Sequence, residues 1–401
     1  MRSVEELLDR LEHFGVKLGL ERMRGVLSVL GSPEAGLPVV LVAGTNGKGS
    51  TAAMLEAVLR AYDLKTGLFT SPHLVRIEER VRLNGVPVDE TVLEAHIGRF
   101  DEYPDLTYFE TLTAAAFAIF SEAQVDVAVL EAGMGGSWDA TRLAESYIAG
   151  LTNVGSDHAG WLGHEPAAIA RDKGRALEAA DHALIGSGVD EALVPELGAT
   201  AAQRARSLVR CSDAGGGRVR VSWDSHETTV RLPLSGAFQL DNLELALALA
   251  IEAAGAGLIT ALEPSRVRTA LNGLSWPGRL TAHVVEGREV LMDCAHNLEA
   301  IEALARHLDG LDRRYNLLFS CLDDKPVEAM ATVLKPLVGD VVVCRLDDAR
   351  AMPPERLEAA FPGAEIAQDP RSGLDLLGDP VLAVGSIRLV GALFALAEAT
   401  P

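Results

Sequence analysis

From Pro38 the run VVLVAG holds no polar position, and the glycine-rich GTNGKGS behind it gives way to a helical period over residues 51–62. A short apolar run closed by glycine reads as a strand buried on both faces, so this stretch predicts strand, loop and helix in that order. Further buried strands are expected over residues 66–70, 125–131 and 147–154, with helices over 111–122 and 165–177. Strands alternating with helices imply a mostly parallel sheet covered on both faces. At the start of the chain, Ser3 and Glu6 have capping-box spacing, and Val4, Leu7, Leu8, Leu11 and Phe14 recur on one helical face, which predicts an amphipathic opening helix. Alternation over residues 218–232 suggests a short antiparallel ribbon ahead of a helix over 239–254. Past Trp276, Pro277 and Gly278 a new alternation begins, with strands expected over 289–293, 315–321, 340–346 and 380–386. The pattern predicts two α/β domains, over residues 1–276 and 277–401, with no internal repeat.

Composition changes this picture little but narrows what the protein can do. A hydrophobic share of 48% and a charged share of 23% are those of an ordinary globular chain. The formal charge of -21 repels phosphate backbones and anionic lipid heads, which argues against nucleic acid and membrane surfaces as partners. An anionic substrate must then be captured by a local positive site. Cys211, Cys294, Cys321 and Cys344 form no CxxC pair, Glu5 and Glu6 stand where a secretory signal would be apolar, and the apolar run 112–120 is too short to span a bilayer. A cytoplasmic location is expected. Only six lysines occur among the 36 basic residues, so a lysine inside a glycine-rich or acidic motif carries more meaning than usual.

The first such lysine is Lys48, in Gly44-Thr45-Asn46-Gly47-Lys48-Gly49-Ser50. Between a strand and a helix, the backbone N–H groups of this segment and the helix N-terminus can surround phosphate oxygens while Lys48 neutralises charge. A plain glycine-rich turn with a solvated lysine is the alternative, and it leaves the lysine's place at the helix start unexplained. Against the strict phosphate-loop pattern, Val42 occupies the first glycine position and Gly49 the position of the metal-binding hydroxyl. Magnesium bridging phosphates needs hard ligands, and three stand at strand ends: Ser71, Glu131 and His158. Taken singly they also read as a turn serine, a capping carboxylate and a loop histidine. The fold expected is a P-loop NTPase-like, mostly parallel sheet domain followed by a smaller Rossmann-like α/β domain.

The motifs then fall into an ordered set. GTNGKGS, SPHL at 71–74, TYFE at 107–110, EAGMGG at 131–136, DAT at 139–141, NVGSDH at 153–158, WPGR at 276–279, DCAHN at 293–297, DDK at 323–325 and GSIRLVG at 385–391 resemble, in sequence order, the folate branch of the Mur ligase superfamily. That resemblance implies an ATP-dependent ligase that activates a pteroate or folate carboxylate as an acyl phosphate and joins it to L-glutamate, with ATP and Mg²⁺ as cofactors. It implies that Gly47, Lys48 and Ser50 cradle phosphates, that Ser71, Glu131 and His158 bind magnesium, and that Asn242, Arg279 and Asp293 contact ATP. By the same resemblance His296 lies near the glutamate, Ser386 belongs to the second domain's part of the active site, and Thr107, Phe109, Asp139 and Ala140 hold the pterin-bearing acid. Lys173 matches a lysine that is carbamylated and binds a second magnesium; a solvated helix lysine beside Asp172 is the plain alternative. Phe109 also reads as core and Asp139 as a helix cap.

The chain departs from the family where Ser137-Trp138 and Arg142 flank the DAT motif, where Phe238 precedes Gln239, and at Cys294 and Leu298. These changes bear on substrate detail more than on reaction type. Closure of the second domain over the first is expected to shield an acyl phosphate from water. The 43 residues before Gly44 leave no room for the nucleotide-sugar domain of peptidoglycan ligases, so those are not expected. A P-loop phosphotransferase would not need WPGR and DCAHN, and a non-catalytic subunit would not need Lys48, Glu131 and His158. Dihydropteroate, reduced folate and glutamate are the expected partners of a monomer.

Overall fold

The computed structural model describes residues 19–100, 102–103, 105–155, 165–232 and 234–399. The expected opening helix and its Ser3–Glu6 cap lie outside them, as does His158. The described chain forms two compact units. The first comprises residues up to 73, 77–233 and 239–274; the second comprises 74–76, 234–238 and everything from 275. Two short segments that precede the Trp276 boundary in sequence thus belong to the second unit.

The first unit opens with α1 (Glu21–Val29), then β1 (Val39–Ala43), α2 (Lys48–Arg60), β2 (Thr66–Phe69), the short β3 (Val81–Leu83) and β4 (Val86–Pro87), α3 (Glu90–Ile97), α4 (Tyr108–Ala123) and β5 (Val127–Glu131). It continues with β6 (Ser146–Asn153), α5 (Pro166–Gly174), β7 (His182–Gly188), β8 (Gln203–Arg204), β9 (Arg210–Gly215), β10 (Arg218–Trp223), β11 (His226–Arg231), α6 (Gln239–Gly255) and α7 (Pro264–Asn272). One eight-stranded sheet runs β4-β3-β2-β5-β1-β6-β7-β8, with β2 through β8 parallel and the β3 and β4 edge antiparallel. Every residue of β1 and β5 is buried, which is why β1 reads as an unbroken apolar run and β5 as an apolar run up to its terminal Glu131. The ribbon expected over 218–232 is a three-stranded sheet, because β9 pairs with β10. Its polar sequence, RCSDAG, carries too little apolar signal to announce a strand; pairing alone orders it.

The second unit holds β12 (Thr281–Val285), β13 (Arg288–Met292), α8 (Leu298–Asp309), β14 (Tyr315–Phe319), α9 (Val327–Leu334), β15 (Val338–Cys344), α10 (Pro354–Ala360), β16 (Glu365–Ala367), α11 (Pro370–Asp375), β17 (Val381–Val384) and α12 (Ile387–Ala399). The sheet order is β12-β13-β17-β14-β15-β16, parallel except for the β12 hairpin. β12 and β16 are edge strands with exposed residues, and neither shows the buried runs that marked the other four. The four cysteines form no disulfide with one another. No helix among the described residues is long and apolar enough to cross a membrane.

Candidate active site

The phosphate loop leaves the C-terminal end of β1 and enters α2 at Lys48, three residues before the position the sequence period suggested. Gly44 (φ +140°) and Gly47 (φ +81°) make the turn. A Cβ at Gly44 would lie 1.9 Å from Thr152 Oγ1, and one at Gly47 would lie 2.2 Å from Asn242 Oδ1, so glycine is required both by backbone angle and by close approach. Val42 is a buried strand residue paired beside Glu131 and Gly150, which explains why the turn starts only at Gly44.

Side chains at the end of β6 hold the loop open. Asn46 N donates to Asn153 Oδ1 at 2.9 Å, Asn153 Nδ2 returns a bond to Asn46 O at 2.9 Å, and Thr152 Oγ1 donates to the same carbonyl at 2.7 Å. Thr45 Oγ1 accepts from Gly155 N at 2.8 Å. Lys48 Nζ bonds Thr45 O at 3.0 Å. Asn242 is buried at the start of α6 and donates to Gln239 Oε1 at 2.8 Å. The supporting roles of Thr152 and Asn153 were not foreseen from sequence; Asn153 lies in the NVGSDH motif, and Thr152 carries no signal of its own.

Ser50, in the first turn of α2, is 1% exposed, and its Oγ finds no hydrogen-bond partner among the described residues. A buried hydroxyl without a partner is costly unless a ligand satisfies it, so Ser50 fits a phosphate or a hard cation. Glu131, at the end of β5 and 5% exposed, accepts from Ser71 N at 3.0 Å through Oε2. Strands β2, β5 and β1 are neighbours, and this places Ser71, Glu131 and the phosphate loop along one row of strand ends. The donor set is the hard oxygen chemistry that magnesium prefers. Among the described residues no three His, Cys, Asp or Glu side chains gather as a metal site, and His158 lies outside them.

Lys173 overturns the reading of a solvated helix lysine. It is 1% exposed on α5, and Nζ donates to Gly44 O at 3.1 Å, directly against the phosphate loop. Its neighbour Asp172 faces away to accept from Gly136 N at 3.0 Å and Ser137 N at 3.3 Å, so it clamps the EAGMGG loop to α5. The loop lies so close that a Cβ at Gly136 would meet Asp172 O at 2.3 Å. Arg142, a departure from the family pattern, supports the same loop by donating to Gly136 O at 2.8 Å and Ser137 O at 3.3 Å.

The four residues expected to hold the acid also gather in this unit. Phe109 lies against Gly133, where a Cβ would fall 2.5 Å from its ring, and stands 5.7 Å from the Phe69 ring. One residue on, Met134 N donates to Asp139 Oδ2 at 2.9 Å, while Asp139 Oδ1 accepts from Thr141 N and Oγ1 at 3.0 and 2.5 Å. Burial pushes the Asp139 carboxyl up from the ordinary aspartate range, and these donors oppose the shift. Ala140 is buried in the short turn that Asp139 caps. Thr107 caps α4 in a capping box with Glu110. The bland readings of Phe109 as packing and Asp139 as a cap therefore describe real contacts.

In the second unit, Asp293 follows β13 and Ser386 follows β17, and the two strands are parallel neighbours. Asp293 is buried; Oδ2 accepts from Leu280 N and Oδ1 from Ala295 N, both at 2.9 Å. Burial raises its carboxyl above the ordinary range, and Arg279 opposes the shift most. Arg279 Nη1 donates to Gly278 O at 2.9 Å. His296 Nδ1 lies 2.9 Å from Cys294 O, and because a carbonyl only accepts, Nδ1 carries hydrogen. Asn297 caps α8 through Ala300 N at 2.9 Å, Gly385 N donates to Ala295 O at 3.0 Å, and Ser386 Oγ accepts from Arg388 N at 3.1 Å. Arg279, Asp293, His296 and Ser386 are thus grouped at one end of this sheet. Phe238 packs on the unit's core.

The fold and these two groups of residues define a Mur ligase architecture: the Mur ligase middle domain matches residues 42–250, and the Mur ligase, glutamate ligase domain matches residues 278–386. The chain is 34% identical to the dihydrofolate synthase/folylpolyglutamate synthase of Mycobacterium tuberculosis over 393 residues, covering 89% of this chain and 80% of that protein. It belongs to the dihydrofolate synthase/folylpolyglutamate synthase family. It is also 34% identical, over 99% of its length, to a probable bifunctional folylpolyglutamate synthase/dihydropteroate synthase of Haloferax volcanii, of which it spans only 50%. Among solved structures, Mycobacterium tuberculosis folylpolyglutamate synthase complexed with ADP and AMPPCP superposes with a TM-score of 0.88 at 31% identity, over 99% of this chain and 98% of that one. E. coli FolC in complex with DHPP and ADP gives 0.87 at 29%, over 99% and 98%. A bifunctional folylpolyglutamate synthase/dihydrofolate synthase with Mn, AMPPNP and L-glutamate bound gives 0.85 at 28%, over 99% and 98%.

Proposed function

We propose that this chain is an ATP-dependent ligase that forms an amide between the carboxylate of dihydropteroate or a reduced folate and the amine of L-glutamate, through an acyl phosphate, in the cytoplasm. The observation that carries the reading is the phosphate loop with its buried, partnerless Ser50 hydroxyl, in a chain whose second unit matches a glutamate ligase domain. Relatives with DHPP, ADP and L-glutamate bound support the substrate set.

A carboxylate is a poor electrophile, so the γ-phosphoryl must first be moved onto it. Backbone N–H groups of residues 47–50 cradle the phosphates, those of Thr45 and Asn46 being given to Asn153, and Lys48 neutralises the charge that spreads over the transferring group. Asn242 is placed at the loop by its contact with Gly47, and Arg279 and Asp293 are the second unit's contributions to nucleotide binding. Ser71, Glu131, His158 and Lys173 would hold magnesium, which when bound draws charge from the phosphoryl oxygens. For Lys173 this requires carbamylation: the neutral amine attacks CO₂, an N–C bond forms and a proton leaves, which turns a cationic side chain into an anionic oxygen ligand. Arginine lacks the free amine for that step. Thr107, Phe109, Asp139 and Ala140 wall the acid site; His296 and Ser386 serve the glutamate end.

Mass spectrometry of products from ATP, glutamate and each acid offered separately tests the reading. Amide products from both acids are expected. Product from folate alone would mark a monofunctional folylpolyglutamate synthase, and ADP release that needs no glutamate would mark a phosphotransferase.

A further inference from the structure

We infer that Arg22 is a positioning residue for the acid substrate: acting through Glu110, it fixes Thr107 as a hydrogen-bond acceptor, so the ligand group facing Thr107 is an N–H or O–H donor. This rests on the reading that Thr107 touches the acid. Arg22 lies at the start of α1, 88 residues before its partner. Its Nε donates to Glu110 Oε2 at 3.0 Å, and Nη2 stands 2.8 Å from Oε1, a two-point contact that fixes the carboxylate plane. Glu110 is 5% exposed, so the arrangement is shielded from water.

The consequence runs through one proton. Glu110 Oε2 receives both Thr107 N and Thr107 Oγ1, each at 2.9 Å. A carboxylate held by a guanidinium can only accept, so the threonine's single hydroxyl proton is committed inward. One of the two hydroxyl lone pairs is then taken by Glu110 N, which donates to Oγ1 at 3.3 Å. One lone pair remains. Toward a ligand Thr107 therefore accepts and does not donate. A carbonyl placed against it would set oxygen against oxygen, whereas an amino or ring N–H would be satisfied. A pterin-type ring presents both an oxo group and N–H groups, so the network distinguishes between its edges. Without the arginine fork Glu110 can rotate, the hydroxyl proton is released from its fixed direction, and the distinction is lost.

The test follows ADP release with dihydropteroate, ATP and glutamate. Thr107→Val should raise KM for dihydropteroate roughly three- to tenfold, the effect of one lost hydrogen bond, while KM for ATP stays put. Thr107→Ser should restore it. Arg22→Lys keeps a cation beside Glu110, so the protein folds, but loses the two-point fork. It should raise KM for dihydropteroate in the same direction, and add nothing further in the Thr107→Val background. With ¹⁵N-labelled dihydropteroate, one N–H proton resonance should move downfield in the wild-type complex and return in Thr107→Val. If Thr107→Val leaves KM for the acid unchanged, the contact reading of Thr107 fails. If it raises KM but Arg22→Lys does not, or the two effects multiply, the role of Arg22 is overturned while the contact stands. If no N–H resonance responds to the substitution, the donor assignment is overturned.

Discussion

Replacing Lys173 separates packing from chemistry, because the side chain does both. Lys173→Ala removes the Cγ, Cδ and Cε methylenes from a site that is 1% exposed and strips the donor from Gly44 O. At ~0.8 kcal/mol per buried methylene, the lost apolar burial comes to ~2.4 kcal/mol. The orphaned carbonyl adds about 1–3 kcal/mol. Lys173→Ala should therefore lower the stability of the ligand-free protein by about 3–5 kcal/mol. Lys173→Met keeps most of the apolar arm and should lose only the hydrogen-bond part, about 1–3 kcal/mol. Both variants lack the amine, so both should lose more than about a hundredfold in ADP release despite their different stabilities. Added acetate should partly restore Lys173→Ala, where there is room for a free carboxylate. Lys173→Arg should be inactive with or without acetate. Urea unfolding and coupled ADP assays on the three variants give both axes. Near-normal turnover by Lys173→Arg would refute the reasoning, since it would show that a buried cation suffices and no carbamate is needed.

Four further outcomes are expected. Lys48→Ala loses only a contact to Thr45 O from a half-buried side chain, so ADP release should fall by orders of magnitude while apo unfolding barely moves. Gly136→Ala drives a Cβ to 2.3 Å from the Asp172 backbone carbonyl, which cannot swing aside like a side chain, and should cost about 1–3 kcal/mol by urea unfolding while raising KM for the acid. Burial lowers the His307 imidazole from its ordinary 6.5, so the folded protein binds that proton less tightly than the unfolded chain; stability should fall as pH drops through about 6.5, and His307→Gln should remove that part of the slope in a pH series of unfolding curves. The thiols of Cys321 and Cys344 are buried and pushed up to about 12, so neither should react with a thiol reagent at neutral pH until denaturant is added.

Much of this was legible in the chain itself. Central parallel strands are buried on both faces, so β1 and most of β5 had to be apolar, and a strand, glycine loop and helix in succession had to place Lys48 at a helix start. The phosphate loop, Ser71 and Glu131 could be placed at strand ends because strand ends are where such runs stop. Strands that depend on pairing for their order, β9 and the two edges of the second sheet, left no such trace. Nor did the network Arg22–Glu110–Thr107: its capping box is local and readable, but the arginine that fixes its polarity comes from a helix 88 residues away. Lys173 shows the division most clearly. Its rarity among the basic residues marked it as unusual, yet the sequence left open whether its amine meets water or the phosphate loop, and only tertiary packing brings Nζ to 3.1 Å from Gly44 O. Periodicity reports burial along one element, whereas the meeting of side chains from different elements depends on strand order, and strand order is written in no single segment.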